Sequence, residues 1–336
     1  MSPERRALAA PDKFRGTITA REAAQAIATG AARAGWTCEQ LPLADGGEGT
    51  LDALGGANRL TRVAGPLGEP VDAGWRLDNA TAVIEMARAS GLELAGGREH
   101  NHPLAASTHG TGELIAAAAD AGARTIVVAV GGSATTDGGR GALEALEGLI
   151  PFRAHGLEVR VACDVSTRFV DAARMFGPQK GATEDDVAQL IARLEELASG
   201  YQARFGVRVD DLPRAGAAGG LAGGLAAAGA RLEGGFDIVA GLVGFERALA
   251  ASDLVVTGEG MLDDSSFTGK VVGGVRDLAG LHAVDIFAVV GIAAEAVTWP
   301  IPYLSLTSRF GPERALADTA SCIAQIVEER LGDQPT

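Results

Sequence analysis

The chain has 336 residues, 47% of them hydrophobic, which is long enough for two domains that each bury a core. Its 43 acidic and 29 basic residues give a net charge of -14, which disfavours a surface that binds nucleic acid or anionic lipid. Three widely spaced cysteines argue against a disulfide framework or a zinc knuckle, and no apolar run is long enough to predict a membrane span. The composition predicts a soluble, cytoplasmic protein that acts on small molecules.

The N-terminal part of the chain predicts a β-α-β-α unit. A short strand is predicted in RRALAAPD, followed by a helix in TAREAAQAIATGAARAG. Thr19 and Glu22 have the spacing of a capping box, and Gly35 ends this helix. A second strand is predicted in TCEQLPLAD, with a helix that begins near Glu48. Strands that alternate with helices are typical of a parallel sheet.

The middle of the chain is less regular. Predicted strands lie around 82–86, at 125–130 and in VRVACD; predicted helices follow Gly112, Gly139 and Thr183. The segment GAAGGLAGGL predicts close helix packing rather than chemistry.

Regular alternation returns in the C-terminal part. Strands are predicted in SDLVVTGE, VDIFAVVG and PYLSLTS, and helices at 270–279 and 313–331. The predicted fold is α/β: residues 1–62 and 240–336 form a Rossmann-like, doubly wound parallel sheet, and residues 63–239 form an inserted second α/β domain. A cleft between the two domains is the expected active site.

The familiar nucleotide-binding motifs are absent. The sequence contains neither a G-x-x-x-x-G-K-[ST] loop nor a G-x-G-x-x-G after a strand, and it lacks the protein-kinase signatures. A nucleotide-dependent dehydrogenase is therefore disfavoured.

One loop has the composition of a phosphate cradle. In TIVVAVGGSATTDGGRGALEAL, a β-branched strand leads into glycines and hydroxyls and then into a helix. Glycines let backbone N–H groups approach an anion, and a helix start adds positive potential. Asp137 at the end of this loop is a candidate Mg²⁺ ligand, with helix capping as the alternative. The candidate phosphate-binding residues of the loop are Gly131, Gly132, Ser133 and Thr135.

Other strand ends carry the same residue types. ADGGEGT contains a candidate base or metal ligand, Asp45, and Glu48, which also suits a helix cap; APDKFRGT contains Asp12, Lys13 and Arg15. Lys180 lies between glycines in FGPQKGA, and TGEGMLDDSSFTGK contains Glu259 and Lys270. Each segment alone is explained by a turn or a solvated loop. Together they favour a phosphoryl-transfer site for a polyanion and Mg²⁺.

In these segments the chain resembles the class I glycerate kinases. APDKFRGTITA, LPLADGGEGT, VIEMARASGL, STHGTGELI, VGGSATTDGG, ACDV, FGPQKGA, GAAGGLAGGL and VTGEG occur in the order typical of that family. The resemblance implies two α/β domains, MgATP as phosphoryl donor and D-glycerate as acceptor, with 2-phosphoglycerate as product.

With this resemblance in view, we hypothesise roles for single residues, which the family motifs do not fix one by one. Asp45 or Asp164 accepts the hydroxyl proton, Arg15 with Lys13 holds the glycerate carboxylate, and Asp12 and Glu48 line the acceptor site. The phosphates lie on the 131–137 loop with Lys180 and Lys270, and Mg²⁺ lies near Asp137 or Glu259.

The chain departs from the family at several of these motifs. Thr136 stands where Asn is usual, Ser166–Arg168 stand where Thr-Asn-Pro is usual, and Met261 replaces an Arg. Two alternatives therefore stay open: a kinase of a related small hydroxy acid, and a catalytically silent protein that binds glycerate or a nucleotide. The sequence leaves the oligomeric state open, with a homodimer as one alternative.

Overall fold

The computed structural model of the protein describes residues 5–294 and 299–332, which hold eleven β-strands and fourteen α-helices. The strands are β1 (Arg6–Ala9), β2 (Thr37–Gln40), β3 (Arg59–Ala64), β4 (Pro70–Asp78), β5 (Thr81–Glu85), β6 (Thr125–Ala129), β7 (Glu158–Ala162), β8 (Arg231–Glu233), β9 (Leu254–Leu262), β10 (Asp285–Ala293) and β11 (Tyr303–Ser305). The helices are α1 (Ala20–Arg33), α2 (Thr50–Ala53), α3 (Ala87–Ser90), α4 (His109–Asp120), α5 (Arg140–Ala145), α6 (Ala172–Phe176), α7 (Glu184–Phe205), α8 (Leu221–Ala227), α9 (Gly235–Val243), α10 (Phe245–Leu249), α11 (Val271–His282), α12 (Leu306–Phe310), α13 (Pro312–Ala317) and α14 (Thr319–Gly332). Among residues 5–294 and 299–332, no helix has the length and apolar character that a bilayer crossing requires.

The chain divides into two compact units. Unit 1 comprises Met1–Asp45, Asp52–Gly55 and Phe236–Thr336, and unit 2 comprises Gly46–Leu51 and Gly56–Gly235. The domain limits predicted from the sequence, after residues 62 and 239, remain a prediction.

Unit 1 contains a five-stranded sheet in the order β11-β10-β9-β1-β2, and every pair of neighbouring strands is parallel. Helices α1 and α14 cover one face, where Ala7 and Ala9 of β1 are buried. Helices α9, α10 and α11 cover the other face, where Leu8 of β1 is buried. A strand buried on both faces is a continuous apolar run, as Ala7–Ala9 of β1 are after the exposed Arg6. The prediction of a doubly wound parallel sheet built from both chain ends is confirmed.

Unit 2 contains a six-stranded sheet in the order β3-β4-β5-β6-β7-β8. Strands β5 to β8 are parallel, as an α/β domain requires, whereas β3, β4 and β5 pair antiparallel. One large core, which includes Phe152 and Phe169, joins this sheet to its helices. The second α/β domain is therefore present, with an antiparallel extension that the sequence analysis did not predict.

Helix ends in the structure follow local sequence signals. Thr19 and Glu22 form the predicted capping box of α1, and Thr183 with Asp186 forms a second one at α7. Near the C-terminus the structure corrects two predictions. PYLSLTS is a strand only over Tyr303–Ser305, because Ser305 caps a new helix by accepting a hydrogen bond from Ser308 N. The single helix predicted at 313–331 is two helices, since Asp318 leaves the helical conformation between them.

The Thr19→Ala substitution is expected to lower the free energy of unfolding by about 1 kcal/mol, because the Thr19 hydroxyl accepts a hydrogen bond from Glu22 N at the start of α1. Urea denaturation measures this change. Thr29→Ala is the matched control, since Thr29 lies inside the same helix, where alanine has the better propensity. Equal losses in the two variants would contradict the capping role.

Candidate active-site residues

Unit 1 brings several predicted site residues to the carboxyl ends of its strands. Asp12 follows β1, Asp45 follows β2, and Glu259 lies in the second half of β9. Asp12 N donates a hydrogen bond to Gly258 O at 2.8 Å, so the ends of the paired strands β1 and β9 are held together. The carboxyl ends of parallel strands share one edge of the sheet, which explains why carboxylates far apart in sequence meet here.

Asp12 is a buried carboxylate whose pKa is raised. Asp12 is 8% exposed. Its burial, together with the negative charge of Asp45, raises its pKa to about 6. The charges of Lys13 and Lys270 and a hydrogen bond from Lys13 N to Asp12 Oδ1, at 2.7 Å, act in the opposite direction. Asp12, Asp45 and the two lysines therefore form one electrostatic group within unit 1.

Glu259 belongs to the same group. It is 8% exposed, and burial raises its pKa to about 7, with a smaller contribution from the charge of Asp12 and an opposing hydrogen bond from Ser266. Its Oε1 atom is buried and has no hydrogen-bond partner among the residues that the structure describes. A buried carboxylate oxygen without a hydrogen-bond partner lowers the stability of the folded state unless a ligand or a cation binds to it.

Asp12 and Glu259 have the carboxylate donors that a magnesium ion prefers. Within the described ranges, no cluster of three or more His, Cys, Asp or Glu side chains could form a protein cage for a metal. Mg²⁺ does not need such a cage, because it is commonly held by one or two carboxylates together with waters and substrate phosphates. The unsatisfied oxygen of Glu259 is the observation that supports this fit.

A chain of polar side chains holds Lys270 beside these carboxylates. Lys270 precedes α11, and its Nζ donates to Ser265 Oγ at 2.7 Å. Ser265 Oγ donates in turn to Asp263 Oδ1 at 2.5 Å. Lys13 is half-buried and Arg15 is exposed, so the two cations predicted to hold a carboxylate follow β1 at different depths.

Glu259→Gln is expected to stabilise the protein by about 2 kcal/mol at pH 8. The pKa of Glu259 is raised from 4.5 to about 7 in the folded state, so its contribution to stability is fully present below pH 4.5 and is lost as the pH rises through 7. Gln removes this cost at high pH, and its advantage over the wild type shrinks as the pH falls towards 4.5. Thermal unfolding at pH 5 and pH 8 measures the difference, with the exposed Glu99→Gln as the control. A gain that did not depend on pH would contradict the burial of a charged Glu259.

In unit 2, Lys180 lies beneath the predicted phosphate loop. It is 4% exposed at the end of a short 3-10 helix, and its Nζ donates to Ser133 Oγ at 2.8 Å and to Thr135 O at 2.6 Å. Burial lowers its pKa to about 7, against the effect of the Asp137 charge. Lys180 thus supports the loop from inside the protein while it supplies positive charge to it.

Asp137 is held by four hydrogen bonds. Its carboxylate accepts from Thr108 N and Thr108 Oγ1, both at 2.8 Å, from Gly139 N at 3.0 Å and from Gly141 N at 3.2 Å. These donors lie at the starts of α4 and α5. The geometry favours the capping alternative over the metal-ligand alternative, which stays a prediction for this residue.

The loop also contains two buried hydroxyls whose hydrogen-bonding capacity the described residues do not use. Thr135 Oγ1 and Thr136 Oγ1 are buried and have no hydrogen-bond partner within residues 5–294 and 299–332. Asn101, which the sequence analysis missed, donates from Nδ2 to Ala134 O at 3.0 Å and to Lys180 O at 2.8 Å. No local signal could have identified Asn101, because its partners are distant in sequence.

The remaining predicted residues of unit 2 lie at two further loops. Glu48 is exposed in the Gly46–Leu51 segment, and Asp164 follows β7, where its Oδ1 accepts a hydrogen bond from Gly235 N at 3.0 Å. A Cβ atom on Gly131 would lie only 2.7 Å from Gly47 Cα, so glycine is required where the phosphate loop meets the Glu48 segment. The structure therefore brings Gly131 and Glu48 together, as two neighbouring loops.

The predicted site residues are thus divided between the two units, and their roles stay predictions. Those of unit 1 are Asp12, Lys13, Arg15, Asp45, Glu259 and Lys270; those of unit 2 are Glu48, Gly131, Gly132, Ser133, Thr135, Asp137, Asp164 and Lys180.

Comparison with known proteins assigns the chain to a family. The model of the glycerate kinase family matches residues 7–155 and 148–326. The chain is 39% identical to glycerate 2-kinase of Escherichia coli (strain K12), over 86% of this chain and 85% of that protein. It is 40% identical to glycerate kinase of Bacillus subtilis (strain 168), over 84% of each. A crystal structure assigned as glycerate kinase 2 from Salmonella typhimurium LT2 superposes with a TM-score of 0.84 at 33% identity and covers 98% of this chain and 97% of that one. This chain is a member of the glycerate kinase family.

Proposed function

We propose that this protein transfers the γ-phosphoryl group of ATP to D-glycerate and releases 2-phosphoglycerate and ADP in the cytoplasm. The observation that carries the proposal is the group of carboxylates and lysines at the carboxyl ends of β1, β2 and β9. Phosphoryl transfer needs a base for the hydroxyl and positive charge for the phosphates, and this group supplies both. The relatives named glycerate kinase, which match most of the chain, support D-glycerate as the acceptor.

In this proposal, the acceptor is prepared mainly by residues of unit 1. Lys13 and Arg15 bind the glycerate carboxylate, and Asp12 and Glu48 line its site. Asp45 accepts the proton of the reacting hydroxyl while the hydroxyl oxygen bonds to the γ-phosphorus, and the bond from that phosphorus to the bridging oxygen of ADP breaks. Asp45 is chosen over Asp164 because its charge acts directly on Asp12.

The phosphates of ATP are assigned to the loop of unit 2. Backbone N–H groups of Gly131 and Gly132, with the hydroxyls of Ser133 and Thr135, form the cradle, and Lys180 adds positive charge from below. The unsatisfied hydroxyls of Thr135 and Thr136 support a ligand at this loop. Lys270 is assigned to the phosphates from the start of α11.

Asp12 and Glu259 would hold Mg²⁺. The ion, when bound, neutralises phosphate charge that develops during the transfer. Asp12 and Glu259 would themselves lose their protons more readily beside such a cation, which suits carboxylates whose pKa values are otherwise raised.

A coupled assay of ADP release with MgATP and D-glycerate tests the proposal, and phosphorus NMR of the product identifies the hydroxyl that is phosphorylated. We expect turnover and a 2-phosphoglycerate signal. A panel of small hydroxy acids in the same assay distinguishes a kinase with another acceptor. Absence of turnover on every acid, together with thermal stabilisation by glycerate or ATP, would support a silent binding protein instead.

A further inference from the structure

A buried carboxylate outside the two groups lies at the end of β5. Glu85 is 2% exposed, and its Oε1 accepts hydrogen bonds from Gly49 N and Leu51 N, both at 2.9 Å. Its Oε2 accepts from Arg88 Nε at 2.9 Å. A carboxylate is buried at low cost only when such partners satisfy both oxygens. Glu85 is therefore bound to the backbone of a distant segment rather than left to solvent.

That segment is the turn that carries Glu48. Thr50 donates from its N–H and its Oγ1 to Gly47 O, at 3.4 and 2.7 Å, and α2 begins at Thr50. Helix α2 has only four residues, so its own hydrogen bonds do little to fix the turn. The contacts with Glu85 are thus a main support for the position of this backbone.

The same support extends to the phosphate loop. Leu92 N donates to Gly132 O at 2.8 Å, so the chain that follows Glu85 and Arg88 is paired with the loop after β6. A Cβ on Gly131 would lie 3.0 Å from Glu48 N, which places this loop directly against the turn. A substitution at Glu85 should therefore displace the turn directly and the loop through its contact with the turn.

We infer that Glu85 is a positioning residue for phosphoryl transfer: it fixes the Gly47–Thr50 turn, and with it Glu48, by accepting the N–H groups of Gly49 and Leu51, while Arg88 holds its second oxygen. This inference rests on the proposed function, in which Glu48 lines the acceptor site. Glu85 acts through the turn and does not itself contact the substrate.

The test compares Glu85→Gln with Glu233→Gln. Glu233 is the matched control because it accepts from Arg160 Nε and Nη2, at 2.8 and 2.7 Å, within the β7–β8 pair. We expect Glu85→Gln to lower kcat/KM for D-glycerate about tenfold, mainly through a higher KM for glycerate, with a smaller change in the KM for ATP. Hydrogen exchange of the peptide that contains residues 46–51 should accelerate in Glu85→Gln relative to peptides from β6. Glu233→Gln should change neither readout.

Two results would overturn the inference. One is a Glu85→Gln enzyme whose glycerate KM and 46–51 exchange match those of Glu233→Gln, even if its melting temperature falls. If Glu85→Gln does not fold, Glu85→Asp replaces it, since this variant keeps the charge but has a shorter side chain. A wild-type glycerate KM and wild-type exchange of residues 46–51 in Glu85→Asp would then overturn the inference. If the wild-type protein is inactive on D-glycerate, the proposed function is wrong. The hydrogen-exchange measurement needs no turnover, so it still tests whether Glu85 fixes the turn.

Discussion

Asp45→Asn is expected to lower kcat on D-glycerate about 100-fold or more, because an amide cannot accept the proton of the reacting hydroxyl. The KM for glycerate should change less, since Lys13 and Arg15 are left in place. Steady-state kinetics with the ADP-release assay measures both constants. Asp120→Asn, a change of an exposed carboxylate at the end of α4, is the control and should behave as the wild type.

The same variant has an electrostatic signature. Burial and, next to it, the charge of Asp45 raise the pKa of Asp12 to about 6. Asp45→Asn removes the second cause and leaves the first, so the pKa of Asp12 should fall in this variant. The free energy of unfolding should then fall less in the variant than in the wild type as the pH rises from 4 to 6. Urea denaturation at several pH values across this range measures the difference.

Asp164→Asn decides between the two candidate bases. Asp164 accepts a hydrogen bond from Gly235 N, and Asn can still accept it through its amide oxygen. If Asp164→Asn showed the 100-fold loss and Asp45→Asn kept an essentially unchanged kcat, the base would be Asp164 and the assignment of Asp45 would be wrong.

Asp137→Ala is expected to lower the free energy of unfolding by about 4 kcal/mol. The variant loses four hydrogen bonds to one buried carboxylate and leaves three backbone N–H groups without that acceptor. Urea denaturation measures the loss. Asp186→Ala is the matched control, because Asp186 also accepts hydrogen bonds at a helix start but is not buried, so its removal should lower stability much less.

The same variant separates the two roles that the sequence leaves open for Asp137. A capping carboxylate lowers stability when it is removed, and the magnesium concentration needed for half-maximal activity changes little. If Asp137→Ala were as stable as the wild type while its magnesium requirement rose, Asp137 would be a metal ligand and the capping role would be wrong.

Features that depend on neighbours in sequence could be predicted without the structure. The capping box of Thr19 and Glu22 needs only three residues of helix, and the strands of unit 1 are apolar runs bounded by turn residues. The antiparallel hairpin of β3 and β4 could not be predicted in this way. Leu60 in β3 is 70% exposed, so this edge strand lacks the alternation of buried and exposed side chains that signals a sheet.

The sequence identified the residue types of the candidate site, and the roles of those residues stay predictions. The burial of Lys180 depends on loop atoms 45 and 47 positions earlier in the chain, so its place beneath the loop needed the fold. Asp137 was recognised, but its donors from Thr108 lie 29 positions away. Glu85 did carry a signal, since it is a lone carboxylate at the end of the apolar run TAVIE, where burial demands a partner.

The strand order of unit 1 has a consequence for how the protein is made. The pair β1–β9 joins Ala7 to Leu254, so on a growing polypeptide this pair cannot form until residue 254 has left the ribosome. All six strands of unit 2 lie between Arg59 and Glu233, and their sheet can be complete by then. Strands β1 and β2 alone make a two-stranded pair too small to be stable. During synthesis we therefore expect the inserted unit to fold first, and the unit that contains both chain ends to fold last.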